Sequence, residues 1–172
     1  MSIWEVKTIR PKYIIDPNMI VNPIVNEMTR QGEIIERMYQ RTVRTWRNKP
    51  KFSMTMKRGA RVWIMRIGYD PSTDEGKKYF WVDHGTSAHM IRARNAPSLA
   101  FGTTFVPKTR RGVIGSSAGK RGGKIVRPKQ VRHPGTEARD FTRTIYARRK
   151  DYLHRDLARA MNRAIRNAMK RQ

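Results

Sequence analysis

The sequence predicts an α+β fold: a small, mostly antiparallel sheet packed against a long N-terminal helix and a C-terminal helical region. Three observations carry this. Apolar residues recur at helical spacing from Ile24 to Trp46, β-patterned runs cluster between Phe52 and Asp83, and a second helical pattern follows Thr136. The 172 residues suit one domain with a modest core. The expected organisation is an extended arm over 1–22 and a single α+β domain over 23–172, with a long basic Gly-rich loop at about 102–130.

The arm is interrupted by Pro11 and Pro17, with room for a short strand at Ile3 to Ile9. Asn22-Pro23 is a good helix start, because Asn caps free amides and Pro is pre-shaped for the first turn. From there Ile24, Met28, Ile35, Met38 and Trp46 share one face with Gln31 and Thr42, and Pro50 ends the element. "FSMTM" alternates, and "RVWIMRIG" is apolar on both faces except at Arg66, which reads as a hairpin whose second strand is central. "DPSTDEG" is a loop by composition, and "YFWVD" reads as a third strand, with Tyr79 and Trp81 facing the core. Trp63 also reads as core.

Glycines interleaved with Ser and basic residues fill 102–130, a segment expected to be a floppy loop in isolation, with room for a loose hairpin near its base. It buries too little apolar surface to offset an ordering cost of about 1–2 kcal/mol per residue. Thr136 is a candidate N-cap for the C-terminal helix, with Glu137 and Asp140 near its positive end. There Phe141 and Ile145 share a face, but Leu153, Leu157, Ala160, Ala164 and Ala168 lie roughly a third of a turn away. The changeover at Ala147 to Asp151 predicts a bend or two consecutive helices. Arg155, Arg159, Arg163, Arg166 and Lys170 form a basic ridge off the apolar side.

Thirty-eight Lys and Arg against thirteen Asp and Glu leave a formal charge of +25, which speaks to anionic partners rather than to fold. From residue 84 to 136 there is no acidic residue, while Arg92, Arg94, Lys108, Arg110, Arg111, Lys120, Arg121, Lys124, Arg127, Lys129 and Arg132 all fall there. A one-signed segment suggests something negative opposite it. No cysteine is present, which excludes disulfides and thiolate metal sites. The start lacks the layout of a secretory signal, and no apolar run approaches a membrane span, so a soluble protein made in a reducing cytoplasm is expected.

"YFWVDHGTSAHM" gathers Asp83, His84, Thr86, Ser87 and His89, the side chains of hydrolases and metal sites. A nucleophilic triad would need Ser87 or Thr86 activated by a histidine that Asp83 orients, but strand neighbours point to opposite faces and no Gly-x-Ser-x-Gly elbow occurs. A metal site of His84, His89, His133 and Asp83 has no standard spacing and no cysteine. The plainer reading uses every residue: the strand ends, Gly85 lets the backbone leave it at positive φ, and Thr86 caps the exit. No catalytic residue, metal or cofactor is expected.

Two pieces together carry a resemblance. "YFWVDHGT", ending in Asp83, His84, Gly85 and Thr86, is similar to the aromatic-x-x-Val-Glu-aromatic-Gly-Thr stretch of the tail-completion (neck, tail-to-head joining) proteins of tailed bacteriophages, the minor tail protein Z-like group. "HPGTEARDF", with His133, Pro134, Gly135, Thr136 and Phe141, resembles its second signature, a His-Pro-Gly-Thr turn before Ala-x-x-Phe on a helix. The order of elements also matches, from about Ile24 to the C-terminus. Asp83 stands for the usual Glu, His84 for an aromatic, and Asp140 where proline is common.

The resemblance implies a non-enzymatic structural virion protein. It would be a homo-oligomer, a hexameric ring, at the head-tail junction, meeting head connector (adaptor) proteins on one side and tail terminator or tail tube protein on the other. Viral DNA would pass non-specifically through its central channel. Diffuse Lys and Arg without base-reading motifs suit such a channel, since specific contacts would stall transit. The basic residues of 84–136 would then line a lumen or a subunit seam. The competing expectation from charge alone is a dedicated nucleic-acid-binding protein, ribosomal-like or nucleoid-like, with salt-sensitive affinity. A hydrolase using His84, His89 or His133 is the third.

Overall fold

The computed structural model describes residues 6–7, 16–59 and 62–170. The fold is α+β: helices α1 (Pro17–Thr42), α2 (Asp74–His84) and α3 (Phe141–Met169), and strands β1 (Val6–Lys7), β2 (Phe52–Arg58), β3 (Trp63–Tyr69), β4 (His89–Arg92), β5 (Phe101–Val106), β6 (Lys120–Val126) and β7 (Gln130–His133). The chain divides into two compact units, one of 1–40, 51–70 and 145–172, the other of 41–50 and 71–144. Of the expected arm, residues 1–5 and 8–15 lie outside the described residues.

In the first unit β1, β3 and β2 form an antiparallel sheet with β3 central, as the apolar pattern of "RVWIMRIG" predicts. Met65, Ile67 and Tyr69 of β3 are buried on one side, and Phe52 stacks on Tyr39 of α1 at 5.3 Å. Trp63, expected in the core, is only partly buried. Helix α1 begins at Pro17 rather than Pro23, which shortens the arm. Asp16 accepts the Asn18 amide through its side chain and the Met19 amide through its carbonyl, both at 3.0 Å. Asp16-Pro17 is therefore the cap and first turn, and Pro23 sits exposed within the helix. Gly32 is explained by packing. A Cβ there would meet the Met54 and Met65 sulfurs at 2.1 and 2.7 Å.

In this unit Ile20 of α1 packs on Ala164 and Ala168 of α3, whose small side chains admit the neighbouring helix. Helix α3 is a single uninterrupted helix through Arg149, and not the two consecutive helices that are one of the two alternatives expected at 147–151. Its buried positions Ile145, Leu153, Ala160, Ala164 and Ala168, with Arg149 partly buried, keep close to every fourth residue. Such spacing drifts about 40° per step around a 3.6-residue helix, so the stripe moves round without a break. Gln31, fully buried, joins the helices by donating to Glu27 at 2.7 Å and Asp156 at 2.9 Å and accepting from Arg149. Arg30 pairs with Glu27 at 2.5 Å and with Asp156 at 3.3 Å.

In the second unit "YFWVD", expected as a strand, is the C-terminal half of α2. Thr73 caps the helix, its side chain accepting from the Gly76 amide at 3.1 Å, and Asp74 and Glu75 occupy the positive first turn. Gly76, Tyr79 and Asp83 recur at helical spacing on the buried side. Tyr79 stacks on Phe141 at 5.7 Å and meets Trp46 at 6.2 Å. Trp81, placed in the core by strand alternation, is instead 50 % exposed. The expected loop at 102–130 contains the β5–β6 hairpin, and β7 returns to pair with β4. Its tip is tied down: Thr45 Oγ1 donates to the Ser117 carbonyl at 2.5 Å, and Lys108 Nζ donates to the Thr45 carbonyl at 2.8 Å.

Candidate functional site

Gly85-Thr86 and Gly135-Thr136, fifty residues apart in sequence, lie side by side. The Thr86 amide donates to the Thr136 carbonyl at 2.9 Å. The Thr136 amide returns the bond to Thr86, at 3.1 Å to its carbonyl and 2.9 Å to its hydroxyl. Both glycines have positive φ, 79° and 94°, and leave no space for a side chain. A Cβ on Gly85 would stand 2.6 Å from the Thr136 carbonyl oxygen, and one on Gly135 2.2 Å from that of Thr86. Thr136 is thus a bridge residue and not the N-cap of α3.

The cap comes from Asp83, which is 3 % exposed. Its Oδ1 accepts the Phe141 and Thr142 amides at 2.5 and 3.3 Å, and its Oδ2 accepts the Thr142 hydroxyl at 2.5 Å. The Asp83 carbonyl also accepts the Arg139 and Asp140 amides at 3.1 and 3.0 Å. All three oxygens of the residue that looks like a triad acid are therefore spent on the start of α3. Asp140, where the resembled family commonly has proline, stands at φ 53°, which a proline ring does not allow.

The histidines do not converge on Asp83 or on a serine. His84 stacks on Phe80 at 4.2 Å, with Nδ1 3.1 Å from the Phe80 carbonyl. His89 Nδ1 lies 2.9 Å from the Ser87 carbonyl. The His133 Nδ1 accepts the Gly135 amide at 3.0 Å, holding the second corner. His89 and His133 are cross-strand partners with rings 5.0 Å apart. Among the described residues no three His, Asp or Glu gather as a metal site.

Between the corners, the acid-free segment forms two hairpins. Arg92, Arg94, Arg110, Lys120, Arg121, Lys124, Arg127, Lys129 and Arg132 are exposed. Two of the eleven cations have structural work: Lys108 is half-buried against Thr45, and Arg111 pairs with Asp140 at 2.7 Å. Pro134 is exposed beside β7. On α3, Arg155, Arg159, Arg163, Arg166 and Lys170 are all exposed over about 22 Å of helix. Arg155 and Arg149 also pack on the Tyr152 ring, at 4.8 and 5.0 Å from its centroid.

Sequence reasoning missed the apolar surface among these charges. Phe101, Phe105, Val106 and Ile125 of β5 and β6 are exposed. The signal was present in "FGTTFV", a β-prone run outweighed by the surrounding glycines. Among the described residues no helix is long and apolar enough to cross a membrane. Comparisons with protein-family models, with curated proteins and with solved structures gave no match to this chain.

Proposed function

We propose that the chain is a structural virion protein of a tailed phage: a tail-completion (neck) subunit that forms a ring between head connector and tail and surrounds the DNA channel. The observation that carries this reading is the hydrogen-bonded pairing of the two Gly-Thr corners. It makes the two signature stretches one structural unit, from which the acid-free segment 84–136 leaves and to which it returns. Ten exposed cations on that excursion, with no carboxylate among them, suit a surface facing a polyanion without reading bases. The chemistry of the Asp83 and histidine cluster is capping and turn formation, which supports a non-enzymatic role.

Native mass measurement of the purified chain, together with a cryo-EM map of the particle that contains it, tests the proposal. Closed rings with Arg110 and Arg121 on the lumen or a subunit seam are the expected result. A strict monomer absent from virions, or those side chains on the outer rim, would overturn it. The exposed arginine ridge of α3 favours a second reading, a dedicated nucleic-acid-binding protein. That reading predicts tight binding to free duplex that falls steeply with salt and does not require a ring.

A further inference from the structure

The β4–β7 and β5–β6 hairpins enclose a groove of about 740 Å³. Its walls carry Ile91 and Val131 from the first hairpin and Phe101, Phe105 and Ile125 from the second. Phe105 and Ile125 are 64 and 66 % exposed, so large apolar side chains of the β5–β6 wall face water, opposite the half-buried Ile91 and Val131. Apolar concavities of this size commonly bind partners. The charged side chains lining it, Arg121 and Arg132, are cations, in a segment without a single carboxylate.

We propose that this groove docks a short segment of another protein, one whose aliphatic or aromatic anchors are flanked by carboxylates. Apolar anchors would cover Ile125 and Phe105, and the flanking acids would meet Arg121 and Arg132. A second copy of the chain supplies the wrong charge. Trp81 lies within one helical turn of Lys77 and Lys78, Tyr152 lies between Arg149 and Arg155, and Met161 lies on the arginine-rich α3. Nucleic acid is the poorer fit: bases could stack on Phe101 and Phe105, but the aliphatic Ile91, Ile125 and Val131 would be left without an apolar partner. Such docking does not require the ring.

Fluorescence anisotropy with a labelled peptide, Glu-Phe-Asp-Ile-Glu-Leu-Asp-Glu, and its lysine-for-acid counterpart tests this on the full chain. Saturable binding of the acidic peptide alone is expected. Ile125→Asp and the Arg121→Glu/Arg132→Glu pair should each weaken it by about tenfold or more. These positions are exposed, and unchanged circular dichroism and melting temperature would show that the variants fold. Four results would each overturn the proposal: no binding of the acidic peptide, equal binding by Ile125→Asp, equal or better binding of the lysine peptide, or displacement by a thymidine oligonucleotide that itself requires Ile125. Self-association that disappears in Ile125→Asp would assign the groove to a second copy instead, and would also overturn it. Native mass of the same variants keeps the ring separate: rings that persist while peptide binding is lost leave the neck reading intact.

Discussion

Replacing Asp83 with alanine isolates the contact on which the second unit depends. The carboxylate accepts two backbone amides and one hydroxyl at the start of α3 while 3 % exposed. Loss of an N-capping side chain costs about 0.5–2 kcal/mol. A buried amide left without its charged acceptor adds about 1–3 kcal/mol. The two overlap, because the Phe141 amide is counted in both, so Asp83→Ala should lose about 2–4 kcal/mol. For a chain of this length that is a fall in melting temperature of roughly 4–16 °C. Asp83→Asn keeps one acceptor oxygen for the Phe141 amide, and the Thr142 hydroxyl can rotate to accept from the new amide, so its loss should be near 1 kcal/mol. Urea unfolding followed by circular dichroism, with thermal melts of the same three proteins, provides the measurement. Asp83→Ala within about 0.5 kcal/mol of wild type would refute the capping role. A selective loss of some enzymatic activity without loss of stability would return Asp83 to a chemical role.

Gly135→Ala should destabilise by about 2 kcal/mol or more, since it combines a φ of 94° with a Cβ 2.2 Å from a backbone carbonyl that cannot move aside without breaking the Thr86–Thr136 bridge. Gly32→Ala would add about 1 kcal/mol to an ordinary helix, yet here it should destabilise by about 1–3 kcal/mol through overpacking on Met54 and Met65; a higher melting temperature would contradict the packing account. Stability should also fall in acid. The Arg30 hydrogen bond, against an opposing effect of burial, holds the Glu27 carboxyl below its ordinary range. Burial pushes the Asp156 carboxyl up, but the Arg155 hydrogen bond and charge, Gln31 and Arg30 outweigh it and leave that group lowered too. With folded values below the unfolded ones, the unfolded chain binds more protons. This contribution is complete above the ordinary carboxylate values and is lost as pH falls below about 4 through the folded ones. A Glu27→Gln/Asp156→Asn variant should show a flatter acid limb in urea titrations, and an unchanged slope would count against the network.

Features with a local cause could be read from the residues alone. The β2–β3 hairpin was legible because Phe52, Met54 and Met56 alternate and Val62 to Gly68 is apolar on both faces except at Arg66. The left-handed turn at Gly85 was legible because few residues but glycine follow an element's end that way. The basic, acid-free character of 84–136 needs only counting. Where the same residues serve two states equally well, long-range contacts made the choice. Tyr79, Phe80, Trp81 and Val82 fit a strand by propensity. They form helix because Thr73 caps the turn before them, and because Tyr79 and Asp83, four apart, both face Phe141 and the start of α3. Glycine-rich 102–130 orders because β5 and β6 satisfy each other's backbone and Thr45 holds the tip, contacts between residues that are distant in sequence. Asp83 as the cap of α3, fifty-eight residues away, and the closing of two Gly-Thr corners on each other are of the same kind. A side chain's type restricts which partners it can take, but which partner is within reach is set by how the chain returns on itself.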